Sequence, residues 1–208
     1  KRFVSGAELE GVQRHLLWTS NIPPPLLERL GVWAVPRDSS EGPGELIDLV
    51  QRIDLEGSLA EGLLTKADRA SMRSALELRT PFLDQSVMEF AATLPRRERL
   101  RGVTTKAFLK EYALRYLPRR IVHRRKRGLS VPLSRWLKTD LYEWAAGRLA
   151  SGGLAAAGVD PQAARDLLEE HRGRRADHAR AIWTLLVLAE WIDWAEGRRR
   201  GVFWLMGM

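Results

Sequence analysis

Apolar residues recur at three- and four-residue steps along most of the chain, and the strict alternation of a half-buried strand is scarce, so the pattern predicts an all-α protein. Leu46 to Ile53 reads as a short helix after the turn-forming Glu41-Gly42-Pro43-Gly44. Ser58-Leu59-Ala60-Glu61 has the form of a capping box, in which the Ser hydroxyl accepts from the Glu amide and the Glu side chain reaches back; it predicts a helix from there to about Leu76. Before Pro81 the backbone at Thr80 must be extended, Asp84 is placed to cap a helix from Gln85 to Leu94, and Pro95 stops that helix. Phe108, Leu109, Tyr112, Ala113, Tyr116 and Leu117 fall at helical spacing in a segment that begins at Thr104 or Thr105 and ends at Pro118.

Downstream, Pro132 to Leu137 and Leu141 to Leu149 read as short helices, and Ser151-Gly152-Gly153 as a flexible linker. Asp160-Pro161 supplies an N-cap followed by proline at the first helical position, opening a helix through Glu170. Asp177 is placed to cap a last long helix, to about Gly197, that carries Trp183, Trp191 and Trp194. These residues, with Trp18, Trp33, Trp136 and Trp144, are expected as core or interface anchors. An apolar tail containing Trp204, after Arg198-Arg199-Arg200, suggests docking on a partner or on a missing part of the same protein. There is no internal repeat.

At 208 residues, 45% hydrophobic and 29% charged, the chain can bury a core and does not have the composition of a disordered segment. Having no cysteine, it excludes a disulfide scaffold and any Cys-ligated zinc or iron–sulfur site, and fits a reducing, cytoplasmic setting. No apolar segment follows Lys1 and Arg2, and the stretch from Ala181 to Ala189 is well short of the ~20 residues a membrane span needs. The expectation is a soluble chain with no membrane partner, and a piece of a longer protein.

Net charge is +8, and its location matters more than its size. From Pro95 to Arg127 thirteen Lys and Arg stand against Glu98 and Glu111, so this segment is strongly basic while the remainder is slightly acidic. A nucleic-acid binder, a rim that neutralises polyphosphate, and a solvated basic surface all have this pattern. No P-loop, dinucleotide-binding, zinc-protease or EF-hand motif occurs. His15, His123, His171 and His178 lack metal-ligand spacing and are expected at surfaces or interfaces, and no metal site is predicted.

One segment is specific. Lys66-Ala67-Asp68-Arg69-Ala70-Ser71-Met72, continuing through Leu76-Glu77-Leu78-Arg79-Thr80-Pro81-Phe82-Leu83-Asp84, resembles the K-x-D-R-x-S-M…E-x-R-x-P-F-L-D block of the glutamine-hydrolysing asparagine synthetases. In the same order follow Glu89-Phe90-Ala91, Leu94-Pro95, Lys106 with Leu109, Leu117-Pro118, and Arg125-Lys126-Arg127-Gly128-Leu129-Ser130-Val131-Pro132-Leu133 with Trp136. Leu129 stands where the family has Phe, and Lys110 where it commonly has Arg. Ser151-Gly152-Gly153-Leu154-Ala155-Ala156 imitates the family's pyrophosphate-gripping S-G-G-x-D-S loop, but Ala155 and Ala156 replace its Asp and Ser, and no hydrophobic strand precedes it.

The resemblance implies the C-terminal helical half of an α/β synthetase domain of the ATP pyrophosphatase type, with residues 1–150 forming that half and 151–208 a helical extension of it. It implies an enzyme that activates a carboxylate with ATP and Mg²⁺, held mainly by residues outside this chain, and then transfers ammonia to it. The missing N-terminal half of the domain and a glutaminase domain are the implied partners, in the same protein or a separate chain, with a homodimer also open. Lys126 is placed at the family's lysine near pyrophosphate and the reacting carbonyl, a compact charge with three donors beside Gly128. Lys106 is read as phosphate-adjacent or as a helix-surface lysine. Asp68, Arg69 and Glu61 are read as close to substrate or as structural; Asp68 on a buried helix face would take Arg79 as its partner. Lys66, Glu77, Arg79, Asp84 and Gly128 belong to a supporting network. Synthetases that close a lactam or macrocycle, or amidate a sugar acid, share this chemistry, and a non-catalytic basic module remains the alternative, disfavoured because no aromatic residues interleave with the Arg119 to Arg127 run.

Overall fold

A computed structural model describes residues 6–32, 45–125 and 131–206, with side chains through Gly197. In chain order its helices are α1 (Gly11–Thr19), α2 (Pro24–Arg29), α3 (Leu46–Asp54), a π-helical stretch (Leu55–Leu64), α4 (Thr65–Met72), a 3₁₀ turn (Pro81–Leu83), α5 (Gln85–Thr93), α6 (Arg96–Arg99), α7 (Ala107–Ala113), α8 (Arg119–Val122), α9 (Leu133–Trp136), α10 (Tyr142–Leu149), α11 (Gly152–Ala156), α12 (Pro161–Arg172) and α13 (Ala179–Met206). Strands β1 (Leu100–Arg101) and β2 (Thr104–Thr105) form one antiparallel hairpin, Leu100 opposite Thr105. The all-α reading holds, with this hairpin as the exception. The chain divides into two compact units, Lys1–Ser40 with Ser130–Met208, and Glu41–Leu129.

In the first unit the core is aliphatic. α12 buries Ala163, Ala164, Leu167, Leu168 and His171, a stripe at helical spacing, and α13 buries Ala181, Ile182, Leu185, Leu186 and Ala189 against it. Leu30, Leu137, Leu149 and Leu154 close the cluster from the ends of α2 and α9 and from α10 and α11. Each fully buried leucine contributes roughly 1.5–3 kcal/mol. Local signals fix the helix starts as the sequence predicts: Asp160 Oδ1 accepts from the Gln162 N–H at 2.8 Å, and Asp177 Oδ1 from the Ala179 N–H at 3.1 Å. Ser151-Gly152-Gly153 is not a linker. Gly152 opens α11, and a Cβ at Gly153 would lie 3.0 Å from Ile192 Cγ2, so glycine there allows the approach to α13.

His171 corrects the surface expectation, since it is fully buried. Its Nε2 lies 2.9 Å from the Ser134 carbonyl, and Nδ1 accepts the His178 N–H at 3.2 Å. The N–H is therefore on Nε2, and both ring nitrogens are satisfied without a charge. Burial lowers the His171 pKa, with Lys138 adding to the effect and Ser134 and Asp177 opposing it. Nearby, Glu170 receives Arg29 at 2.8 Å on one oxygen and His178 Nε2 at 2.8 Å on the other. Arg29 first and His178 second hold this carboxyl at about 2. The described tryptophans stay out of the core: Trp18 and Trp136 are half-buried, and Trp144, Trp183, Trp191 and Trp194 are exposed.

In the second unit α3, the π stretch and α4 run on without a break from Leu46 to Met72. Here the capping-box prediction fails. Because α3 continues through Asp54 and Leu55, the amides near Ser58 already lie within a helical run, and Ser58 and Glu61 sit inside the wider π turns. Thr65 Oγ1 donates to the Ala60 carbonyl five residues back at 3.0 Å. The helix expected from Thr104 or Thr105 starts instead at Ala107, because both threonines pair in the hairpin.

Candidate active-site segment

Lys66, Asp68 and Arg69 lie on α4, and all three are exposed. Helix α4 stops at Met72, and Ala75 turns left-handed with φ 54°. The Leu76 N–H then bonds to the Ser71 carbonyl and the Ala75 N–H to the Met72 carbonyl, each at 3.0 Å, which is a Schellman closure with alanine where glycine is usual. This turn ends the helical run, so nothing after Met72 shares the helical face of Asp68. Arg79 pairs with Glu77, and an exposed Asp68 needs no buried counter-charge. With Arg79 and Glu77 82% and 69% exposed, their pair is screened and orders the approach to Pro81 more than it stabilises the fold.

Thr80 has φ −118° and ψ 87°, extended enough to admit Pro81 and its single 3₁₀ turn. Asp84 then caps α5, its Oδ1 accepting the Ser86 N–H at 3.0 Å and the Ser86 hydroxyl. That hydroxyl first, and the amide next, hold the Asp84 carboxyl below its ordinary range.

Lys106 is exposed and left-handed, φ 57°, between the hairpin and α7. It is therefore not on a helix surface; it precedes the first turn, where its carbonyl accepts the Lys110 N–H at 3.0 Å. Lys126 and Gly128 lie outside the described residues. Glu61 lies in the π stretch, upstream of Lys66, Asp68 and Arg69 on the same continuous run, while Glu77, Arg79 and Asp84 follow on non-helical backbone.

Two features escaped the sequence reading. Arg99, read only as part of the basic run, bonds to the Leu94 carbonyl at 2.6 Å, the Ala92 carbonyl at 3.1 Å and Gln51 at 3.0 Å, and pairs with Asp48. It pins the end of α5 to α3 from 51 residues away, a distance at which sequence carries no local signal. Phe90, Phe108, Tyr112 and Tyr116 form a ladder with centroid separations of 5.5, 6.3 and 5.4 Å, and Arg115 lies 5.5 Å above Tyr112. The helical spacing of the last three was legible; their partner on α5 was not.

A cavity of about 220 Å³ beside Arg99 is lined by Glu45, Asp48, Thr93 and Arg96. It is below the roughly 300–1,000 Å³ of ligand pockets, and Asp48 already neutralises Arg99. Among the described residues no group of three or more His, Asp or Glu is arranged to hold a metal ion. Nor is any helix among them long and apolar enough to cross a membrane. The stretch from Leu63 to Phe82 leaves Leu63 56%, Met72 56%, Leu76 63%, Leu78 50% and Phe82 68% exposed, more apolar surface than a finished site leaves in water.

Residues 10–193 match the family model described as asparagine synthase. A Mycobacterium tuberculosis H37Rv protein, named provisionally as a glutamine-hydrolysing asparagine synthetase, is 39% identical over 145 residues, covering 68% of this chain and 22% of that protein. Asparagine synthetase 1 (glutamine-hydrolysing) of Bacillus subtilis 168 is 33% identical over 145 residues, covering 70% of this chain and 23% of that protein. The chain thus corresponds to under a quarter of the length of these relatives. No solved structure matches it significantly.

Proposed function

Because the chain belongs to the asparagine synthase family, we propose that it is the helical part of an ATP-dependent synthetase that converts aspartate and glutamine to asparagine and glutamate, releasing AMP and pyrophosphate. The observation that carries this reading is the unbroken Lys66-to-Asp84 block inside the matched span. The names of these relatives support glutamine as ammonia donor and asparagine as product.

Carboxylate activation and amide formation both place negative charge on oxygen, and a fixed cation in a water-poor site stabilises it far better than one in bulk water. Lys126 takes that role. Lys106, at the start of α7, is the second cation on the phosphate side, and Glu61, Asp68 and Arg69 face substrate from the long helical run. Lys66, Glu77, Arg79, Asp84 and Gly128 hold the segment. Among the described residues no side-chain group is arranged to hold a magnesium ion, so ATP and Mg²⁺ are assigned mainly to residues outside this chain, and no step here passes through the ion. The exposed apolar side chains from Leu63 to Phe82 are where the other half of the domain covers this one, with a glutaminase domain beyond it, in the cytoplasm.

The complete protein, given ATP, aspartate and glutamine labelled with ¹⁵N in its amide, should yield ¹⁵N-asparagine with AMP and pyrophosphate in equal amounts. Label in a lactam or another amide instead would move the substrate within the same chemistry, and ADP with phosphate would overturn the adenylation. The 208-residue chain alone should show no ATP–pyrophosphate exchange, since it contains no S-G-G-x-D-S loop.

A further inference from the structure

The side chain of Arg99 is 17% exposed, so its N–H groups depend mostly on protein acceptors. Nε donates to the Leu94 carbonyl at 2.6 Å and Nη2 to the Ala92 carbonyl at 3.1 Å, while Nη1 serves Gln51 at 3.0 Å and Asp48. The two carbonyls lie at the C-terminal end of α5, where helix carbonyls lack partners and the dipole favours a cation. Asp48 and Gln51 are neighbours one turn apart on α3. One guanidinium therefore clamps the element that leads into the Lys66-to-Asp84 block to the element that follows it. Arg99 also ends α6, and the hairpin that begins at the next residue runs directly into Lys106. Arg101 on β1 reaches Glu98 of α6 and Glu111 of α7, each at 3.5 Å, so the hairpin is tied on both sides. Resting on the reading that Asp68, Arg69 and Lys106 face substrate and phosphate, we propose that Arg99 is a positioning residue for the amide-forming reaction, setting Lys106 against Asp68 and Arg69 of α4.

From Asp48 to Asp68 the continuous helical run is up to about 30 Å long. A tilt of about 2° at the Asp48 end therefore moves Asp68 by about 1 Å, a displacement that can cost roughly a hundredfold in rate when it reaches reacting groups. Two contacts on α3 resist that tilt better than one, because Nη1 lies between Asp48 and Gln51 and restrains rotation as well as translation. A lysine at this position would keep the charge and lose the clamp, since one ammonium does not present donors in a planar fork to both helices at once. Arg97, two residues earlier in the same basic run, is 83% exposed and has no such role.

The chain has no cysteine, so spin labels at Asp68→Cys and Lys106→Cys read this geometry without background. In the full chain the pair should give one narrow distance distribution. Arg99→Lys should broaden it about twofold or more while Arg97→Lys leaves it unchanged, with the same helical circular dichroism in all three. In the complete enzyme, well below the Tm of each variant, Arg99→Lys should lower kcat/KM for ATP roughly tenfold or more, and Arg97→Lys should stay within about twofold of the parent. A merely structural pin would lower the Tm and leave both the distance width and the kcat/KM of the folded enzyme as in the parent, which overturns the proposal. A broadened distance with unchanged kinetics overturns it as well. If Arg99→Lys does not fold, Asp48→Asn, which loosens α3 and keeps the two bonds to α5, decides by the same two measurements. A parent enzyme that forms no amide would defeat the proposed function, and the label distances alone then decide whether Arg99 sets Lys106 against α4.

Discussion

The carbonyl of Ser71 accepts the amide N–H of Leu76 at 3.0 Å, closing α4 through the left-handed Ala75 inside the most specific block of the sequence. An L-residue with a Cβ is disfavoured in that conformation by roughly 1–2 kcal/mol relative to glycine. Ala75→Gly should therefore raise the urea midpoint by the equivalent of ~1 kcal/mol, offset in part by the greater freedom of glycine in the unfolded chain. Ala75→Val should lower it.

Lys106, with φ 57°, has the same backbone liability but carries a charge proposed to face phosphate. Lys106→Gly should stabilise the chain by ~1 kcal/mol while raising the KM for ATP in the complete enzyme. A stabilised enzyme with an unchanged KM would make Lys106 a turn residue only.

His171 holds Ser134 and His178 together as a neutral ring, and its pKa lies below the ordinary 6.5. Above 6.5 the ring is neutral in folded and unfolded chain alike, and its bonds are fully present. As pH falls below that value the unfolded chain takes up the proton first, so stability declines with acidification. His171→Phe should cost ~1–3 kcal/mol by leaving the Ser134 carbonyl unpaired, and should flatten that part of the pH–stability curve.

Glu170 works over a lower window. Arg29 and His178 depress its carboxyl from the ordinary 4.5 to about 2, so the stability they lend is present above 4.5 and is lost as pH falls towards 2. Glu170→Gln should remove that acid loss and cost about 1 kcal/mol at neutral pH, read by denaturant titration at each pH.

What could be read from the sequence was local. Asp84, Asp160 and Asp177 cap the helices they announce because a short carboxylate reaches amides two residues on, whatever lies elsewhere. Ser58 and Glu61 satisfied an equally good pattern and formed no cap, because the helix before them did not end. Thr104 and Thr105 went to a hairpin because their partners were Leu100 and Arg101. Lys106 and Ala75 gave no sign of a left-handed backbone, since neither is Gly or Asn. Arg99 and His171 were invisible for another reason: their partners Asp48 and Ser134 are far along the chain, and charge or polarity alone argues for the surface. Of the candidate site, the motif named the residues, and the backbone around Ser71 to Pro81 decided that Arg79 meets Glu77 and not Asp68.

Lys126 acting on developing charge is the central claim. Turnover of the complete enzyme, with ATP saturation measured alongside, tests it directly in Lys126→Ala, Lys126→Arg and Arg124→Ala. Lys126→Ala should lower kcat by ~10²–10³-fold with little change in the KM for ATP, as for the loss of other transition-state donors. Lys126→Arg should recover little, because a planar fork does not replace a compact ammonium, and Arg124→Ala should leave kcat within a few-fold of the parent. Equal and mild losses at Lys126 and Arg124, both restored by lowering the salt, would contradict that role and make the basic run a diffuse field.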